Sequence, residues 1–205
     1  MKFLNKTFRK ISLFILLIIL SIYFFVINAW RFDFTENEIR LYVSEINKSD
    51  SLPDMFYEYY NIDTDFSLED NTLGYFAKSI FFKNQHRPIS NCLANIIYVT
   101  NRKDRSFQRL LRHQLFLAIK IENEVDSKQQ FNFVLNNVDF VNNQVGVKSA
   151  SQFYFNKDVN ELDNIEIATI VVMLRNPSLY NPIRRPDKVK IETEKLLKKA
   201  SENQN

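Results

Sequence analysis

Nineteen consecutive positions, Ile11 to Ala29, carry no formal charge. A helix of that length rises roughly 28 Å at about 1.5 Å per residue, close to the thickness of a bilayer's hydrocarbon core. Lys2, Lys6, Arg9 and Lys10 precede the run and no acidic residue does, so the positive-inside bias holds the N-terminus in the cytoplasm and exports the chain beyond Trp30. The run is longer than the apolar region of an ordinary signal peptide, and Ile27-Asn28-Ala29 is a poor small-x-small cleavage site. The expectation is an uncleaved single-pass anchor, with Tyr23 and Trp30 in the interfacial belt. Residues 1–30 then form the cytoplasmic tip and anchor, 31–50 a juxtamembrane stalk, and 51–205 one domain.

Of the 27 Lys and Arg, four precede the anchor, leaving 23 against 24 Asp and Glu. The exported part is near neutral, which gives nucleic-acid binding no electrostatic support. The single cysteine, Cys92, excludes an intrachain disulfide and Cys/His zinc spacing. His86 and His113 stand too far apart in sequence to suggest a metal site, so neither a metal nor a cofactor is expected. With 45% apolar and 14% aromatic residues, the chain has enough to bury a core.

Only Gly74 and Gly146 occur as glycines, which excludes GxGxxG and P-loop turns and leaves a helical reading. Thr35-x-x-Glu38 and Asp163-x-x-Glu166 are capping boxes that open helices. Leu73, Phe76, Ala77, Ile80 and Phe81 recur at helical spacing, predicting an amphipathic helix over 71–83, with another at 90–99. Phe107, Leu110, Leu111, Leu115, Ala118, Ile119 and Ile121 predict a long central helix over 106–124. Asp126-Ser127 caps the next helix, which ends near Asn142-Asn143. Pro177 stops the helix from Ile165 to Leu174, and Pro186 opens a basic terminal helix over 187–200.

Residues 135–182 carry a family signature. Leu135-Asn136, Phe140, Gly146, Ala150, Tyr154-Phe155, Glu161-Leu162, Glu166-Ile167-Ala168 and Pro177-Ser178-Leu179-Tyr180-Asn181-Pro182 match the order and spacing of the peptidoglycan glycosyltransferases. The chain thus resembles glycosyltransferase family 51, the monofunctional biosynthetic transglycosylase type. That resemblance implies an all-α, lysozyme-like glycosyltransferase domain behind a single N-terminal transmembrane helix. It also implies an apolar flank seated in the bilayer to reach lipid II.

Carried upstream, the resemblance places the family's R-K-x-x-E on Leu110, Leu111, Arg112, His113 and Gln114, so its Glu reads Gln. Ile121-Glu122 falls on the usual apolar-Glu pair. Ser127 takes the place of a Lys, with Lys128 next to it, and Asn132 that of a Glu. In the N-terminal half the catalytic Glu-Asp falls on Thr64-Asp65, and Arg87-Pro88-Ile89-Ser90-Asn91-Cys92 replaces a motif ending in two Gln.

Sugar transfer needs a base for the attacking hydroxyl and cations for the departing diphosphate, whereas threonine and glutamine accept no proton near neutral pH. Glu58, Asp63, Asp65, Glu69 and Asp70 are the remaining acids in the segment where the base belongs, with Glu69 or Asp70 the fallback if activity exists. Each also reads as a solvated or helix-capping carboxylate. Arg109, Arg112, Lys128 and Asn136 are the substrate-binding candidates. The bland readings are a solvated helix face for the basic residues and a satisfied helix amide for Asn136.

Three functions stand. The first is a non-catalytic or weakly active envelope protein that holds lipid-linked cell-wall precursor or other cell-wall synthesis proteins at the bacterial inner membrane, its domain periplasmic or extracellular. The second is a divergent lipid II polymerase, and the third an anchored structural or assembly protein without ligand.

Overall fold

The computed structural model describes residues 2–63, 66–68, 70–82, 87–100 and 106–203, with side chains from residue 8 onward apart from 66 and 67. Helix α1, Lys2–Asn28, runs through the uncharged segment and into a short 3-10 turn, Ala29–Phe32. Its side chains from Phe8 to Phe25 lie exposed. Phe8–Phe32 is long and apolar enough to cross a membrane. The body behind it is all-α, as expected, with helices α2 (Glu36–Asn47), α3 (Asp54–Ile62), α4 (Thr72–Phe81) and α5 (Ile89–Thr100). Then come α6 (Phe107–Arg112), α7 (Ala118–Glu122), α8 (Ser127–Asn137), α9 (Val147–Phe155), α10 (Asn164–Arg175) and α11 (Pro186–Asn203). Two two-residue strands, β1 (Phe66–Ser67) and β2 (Arg87–Pro88), pair in parallel.

The capping signals act at the predicted positions. Thr35 accepts from the Glu38 N–H while Glu38 reaches back to the Thr35 N–H, Asp163 and Glu166 do the same for α10, and Asp126 caps α8. Each such cap is worth about 1 kcal/mol. Helix α10 buries every residue from Ile167 to Met173. Apolar on all sides, it takes the central place expected for 106–124. It packs on α3 and α11, while α5 and α8 pack against each other in the other half of the core.

Four local expectations change. Residues 106–124 form α6 and α7 with a π turn, His113–Leu117, between them. At its end the Ala118 N–H bonds the His113 carbonyl five residues back, so one extra residue is accommodated without breaking the helix axis. Helix α8 stops at Asn137, because the chain folds into a tight hairpin in which Phe140 N–H donates to the Gln144 carbonyl at 2.8 Å and Gly146 N–H to the Val138 carbonyl at 2.9 Å. The stripe on α4 faces outward, with Ile80 and Phe81 76% and 80% exposed. Finally, α2 does not stand clear as a stalk: it lies on α8 with Ile39 and Ile46 buried.

The end of this apolar helix is built into the body. Trp30 is buried in the core instead of lying in a headgroup belt, and its ring carries the Arg31 guanidinium at 4.4 Å and the Lys120 ammonium at 5.0 Å. Just beyond it, Asp33 accepts from Arg112 Nε at 2.7 Å and Arg112 Nη2 at 2.8 Å, with Arg109 Nε at 3.7 Å. The His113 ring stacks obliquely on Phe34, 4.8 Å between centroids, and meets Tyr98 edge-on. Its Nε2 accepts from Arg109 Nε at 3.4 Å. Phe116 meets Phe25 of the anchor at 6.1 Å.

Burial pushes His113 down to about 4, the negative charge of Asp33 opposing and Arg109 and Arg112 assisting. Burial works to raise Asp33, but the Arg112 hydrogen bond and the charges of Arg112, His113 and Arg109 outweigh it and hold the carboxyl below its ordinary value. The imidazole is therefore neutral in the fold where the unfolded chain begins to protonate it, near pH 6.5. Unfolding takes up a proton between that pH and about 4, so stability falls as pH drops through this window. Asp33 adds its loss only below about 3.8. Thermal unfolding monitored from pH 7 to pH 3 should show both steps, and His113→Phe should flatten the upper one while leaving the lower.

Gly146 occupies φ +82°, and a Cβ there would sit 2.4 Å from the Asn136 carbonyl oxygen. Both the left-handed backbone and that backbone contact exclude a side chain. Gly146→Ala should cost about 3 kcal/mol, read as a lowered denaturation midpoint, whereas Gly74→Ala, inside α4 at negative φ with a Cβ 3.2 Å from the capping Asn71 Oδ1, should lower it much less.

Candidate functional site

The cleft is organised around Glu122. Its Oε1 accepts from the Thr72 N–H at 2.8 Å, from Thr72 Oγ1 at 2.7 Å and from Ser90 Oγ. Asn91 Nδ2 donates to Thr72 Oγ1 at 3.0 Å and to the Gln114 carbonyl at 2.9 Å. One carboxylate thereby ties the N-terminus of α4 to α5 and α7, while Asn91 adds the π turn. Three donors converge on that one oxygen, which orders the walls around it.

Between those walls lies a cavity of about 200 Å³ lined by Tyr75, Phe76, Arg87, Asn91, Cys92, Asn95 and Gln114. A second of about 210 Å³ shares Arg87, Cys92 and Asn95 and continues past Tyr60, Ile89, Val134 and Leu174 to Arg175. The shared residues set the two side by side along α5, and together they are the cleft. Asn91 and Asn95 stand one turn apart on that helix, with Arg87 just before it on β2. The described lining thus offers guanidinium, amide and aromatic groups but no carboxylate. Burial raises the Cys92 thiol to about 11, with Arg87 opposing, so it is a poor nucleophile at neutral pH.

The described acids near the expected base position are engaged elsewhere or stand clear of the cleft. Asp63, one residue before the Thr64 position, has a fully buried side chain and is held by Arg175 Nε at 2.9 Å and Nη2 at 2.8 Å. Arg175 also donates to Glu192 at 2.9 Å, so this network joins α3, α10 and α11. Breaking such a pair costs about 3–5 kcal/mol because the survivor stays buried and uncompensated. Asp70 pairs with Lys78 Nζ at 3.2 Å on the surface and lines neither cavity. Glu58 also lines neither. Thr64, Asp65, Glu69 and His86 lie outside the described residues, as do Arg102, Lys103 and Arg105.

The substrate-binding candidates are not gathered in the cleft. Arg109 and Arg112 meet at Asp33, beside the anchor. Lys128 sits over the Tyr57 ring at 5.1 Å, at the start of α8. Asn136, in the last turn of α8, donates to the Asn132 carbonyl at 2.9 Å and the Asp50 carbonyl at 3.4 Å. Asn132 itself is buried and accepts the Tyr57 hydroxyl at 2.7 Å, as a satisfied interior amide does. The cleft residues that sequence reasoning did not single out as binding groups are Arg87, Asn95 and Tyr75. The i, i+4 spacing of Asn91 and Asn95 on one helix face was the available signal.

Comparison with known proteins agrees with this architecture. The Transglycosylase family profile matches residues 88–201, a span that runs from the cleft helix to the last turns of α11. Penicillin-binding protein 1F of Bacillus subtilis (strain 168) is 32% identical over 109 residues, 53% of this chain and 15% of its own length. Penicillin-binding protein 4 of the same organism is 34% identical over 110 residues, 54% of this chain and 17% of its own. Penicillin-binding protein 1A of Aquifex aeolicus (strain VF5) is 32% identical over 114 residues, 56% and 15% respectively. The match therefore spans about one sixth of these relatives. A helical body whose second half carries this profile, set behind a membrane-length apolar helix, belongs to the transglycosylase family.

Proposed function

We propose that this chain holds lipid-linked cell-wall precursor at the bacterial inner membrane without polymerising it, and acts as a binding partner in envelope synthesis. The observation that carries the reading is Gln114. It stands where the resemblance expects a Glu, and it lines a cleft whose described residues include no carboxylate. Amides donate and accept hydrogen bonds but take up no proton near neutral pH. Loss of general-base help alone lowers a rate by about 10²- to 10⁴-fold. The two arginines nearest the expected cationic clamp are engaged with Asp33, which draws these two away from a leaving diphosphate.

The remaining groups are suited to binding. Amides and aromatic rings can engage the acetamido and hydroxyl groups of a sugar, and Arg87 can face a phosphate. Phe81, Phe82 and Phe107 are 80%, 64% and 72% exposed. They stand on or beside α4 and α6, both of which adjoin the π turn that touches the anchor. Exposed aromatic surface so close to a membrane helix supports seating in lipid. The basic N-terminal segment supports a cytoplasmic N-terminus, with the body on the opposite side.

Incubating the full chain in detergent with fluorescent lipid II tests the reading. Retention of the lipid on the protein with no glycan polymer is the expected result. Polymer that disappears in Glu69→Gln or Asp70→Asn would replace it with the divergent-polymerase reading. Neither retention nor polymer would favour an anchored assembly protein.

A further inference from the structure

The π turn His113–Leu117 has the membrane anchor on one side and the cleft on the other. On the anchor side, Phe116 meets Phe25, His113 meets Phe34, and Arg112, immediately before the turn, grips Asp33 with two hydrogen bonds. On the cleft side, Gln114 lines the cavity and its carbonyl accepts from Asn91. Asn91 in turn bonds Thr72, the first residue of the helix that supplies Tyr75 and Phe76 to the opposite wall.

The Asp33 side chain is only 8% exposed and Arg112 36%, so the carboxylate end of this pair is shielded from water. A displacement of Asp33 therefore draws Arg112 and His113 with it. Packed interiors answer such displacements by switching between discrete arrangements instead of stretching. A helix carrying one residue too many has such an alternative at hand, because the surplus residue can shift along the axis.

We propose that the π turn is a mechanical link through which the disposition of the membrane helix sets the aperture of the cleft. The input is a change in the tilt of α1, and the output is the separation of the α4 and α5 walls. Tilt responds to bilayer thickness, so lipid environment acts on the cleft without touching it. The link holds whether or not the cleft accepts a lipid-linked sugar, since it rests only on the contacts between anchor, turn and wall.

Cys92 reports directly on the output. It is the sole cysteine of the chain and lines both cavities of the cleft. The experiment measures the rate at which a fluorescent maleimide labels Cys92 in the full chain, reconstituted in thin dimyristoyl or thick dierucoyl phosphatidylcholine bilayers. The wild-type rate should differ by about threefold or more between the two lipids, and Asp33→Asn should raise it by about tenfold, by local opening, while abolishing the difference. Phe116→Ala, which keeps the ion pair but removes the contact with Phe25, should also abolish the lipid dependence, and it serves if Asp33→Asn does not fold. Glu166→Gln, which loosens the remote start of α10, should leave the lipid dependence intact. A wild-type rate equal in both lipids overturns the proposal. So does a lipid dependence that survives Phe116→Ala, or one that Glu166→Gln removes equally well.

Discussion

The Asp33 carboxylate, immediately beyond the 3-10 segment that ends the apolar N-terminal helix, ties that helix to the body behind it. It takes both donors of the Arg112 fork and the charge of Arg109. With Trp30 buried one turn earlier, the apolar helix enters the body as a packed element instead of a tether. The two arginines that the resemblance made candidates for the diphosphate are thereby committed to architecture. A part-buried pair of this kind is costly to break from either side, because the surviving charge loses its compensation.

The same theme governs the other ionised groups that could have done chemistry. Asp63 adjoins the expected catalytic position, but Arg175 encloses it and joins it to Glu192 on α11. Glu122 lies behind the cleft, with three donors converging on one oxygen. These charges hold helices together, and the described lining of the cleft they frame presents guanidinium, amide and aromatic groups. Family membership and the geometry of this cleft are therefore compatible: the first concerns how helices pack, the second which side chains face inward.

Much of the fold was legible because it is encoded locally. The long apolar helix is written in the uncharged run at Ile11, and the starts of α2, α8 and α10 in Thr35, Asp126 and Asp163, whose side chains bond backbone two or three residues away. Gly146 stood at its family position because the backbone there admits no Cβ. The features that escaped depend on partners distant in sequence. Asp33 finds Arg112 across 79 positions, Thr72 finds Glu122 across 50, and Arg175 finds Asp63 across 112. No periodicity marks His113–Leu117 as a π turn, since its apolar spacing is that of an ordinary helix. The α4 stripe has true helical spacing, yet periodicity tells only that one face is apolar, and here that face points away from the core. For the site, Gln114 was readable by register, whereas the grouping of Arg87, Asn95 and Tyr75 around it required the fold.

A retained helical architecture around a cleft whose described lining includes no carboxylate is open to direct inspection. The decisive measurement is a crystal structure of the full chain, grown from lipidic mesophase with a lipid-linked disaccharide diphosphate. Sugar should lie in the cleft beside Asn91, Asn95 and Gln114, with no carboxylate oxygen within about 3.2 Å of the hydroxyl that would attack. A carboxylate from Asp65 or Glu69 within that distance, with a guanidinium on the diphosphate, would contradict the non-catalytic reading.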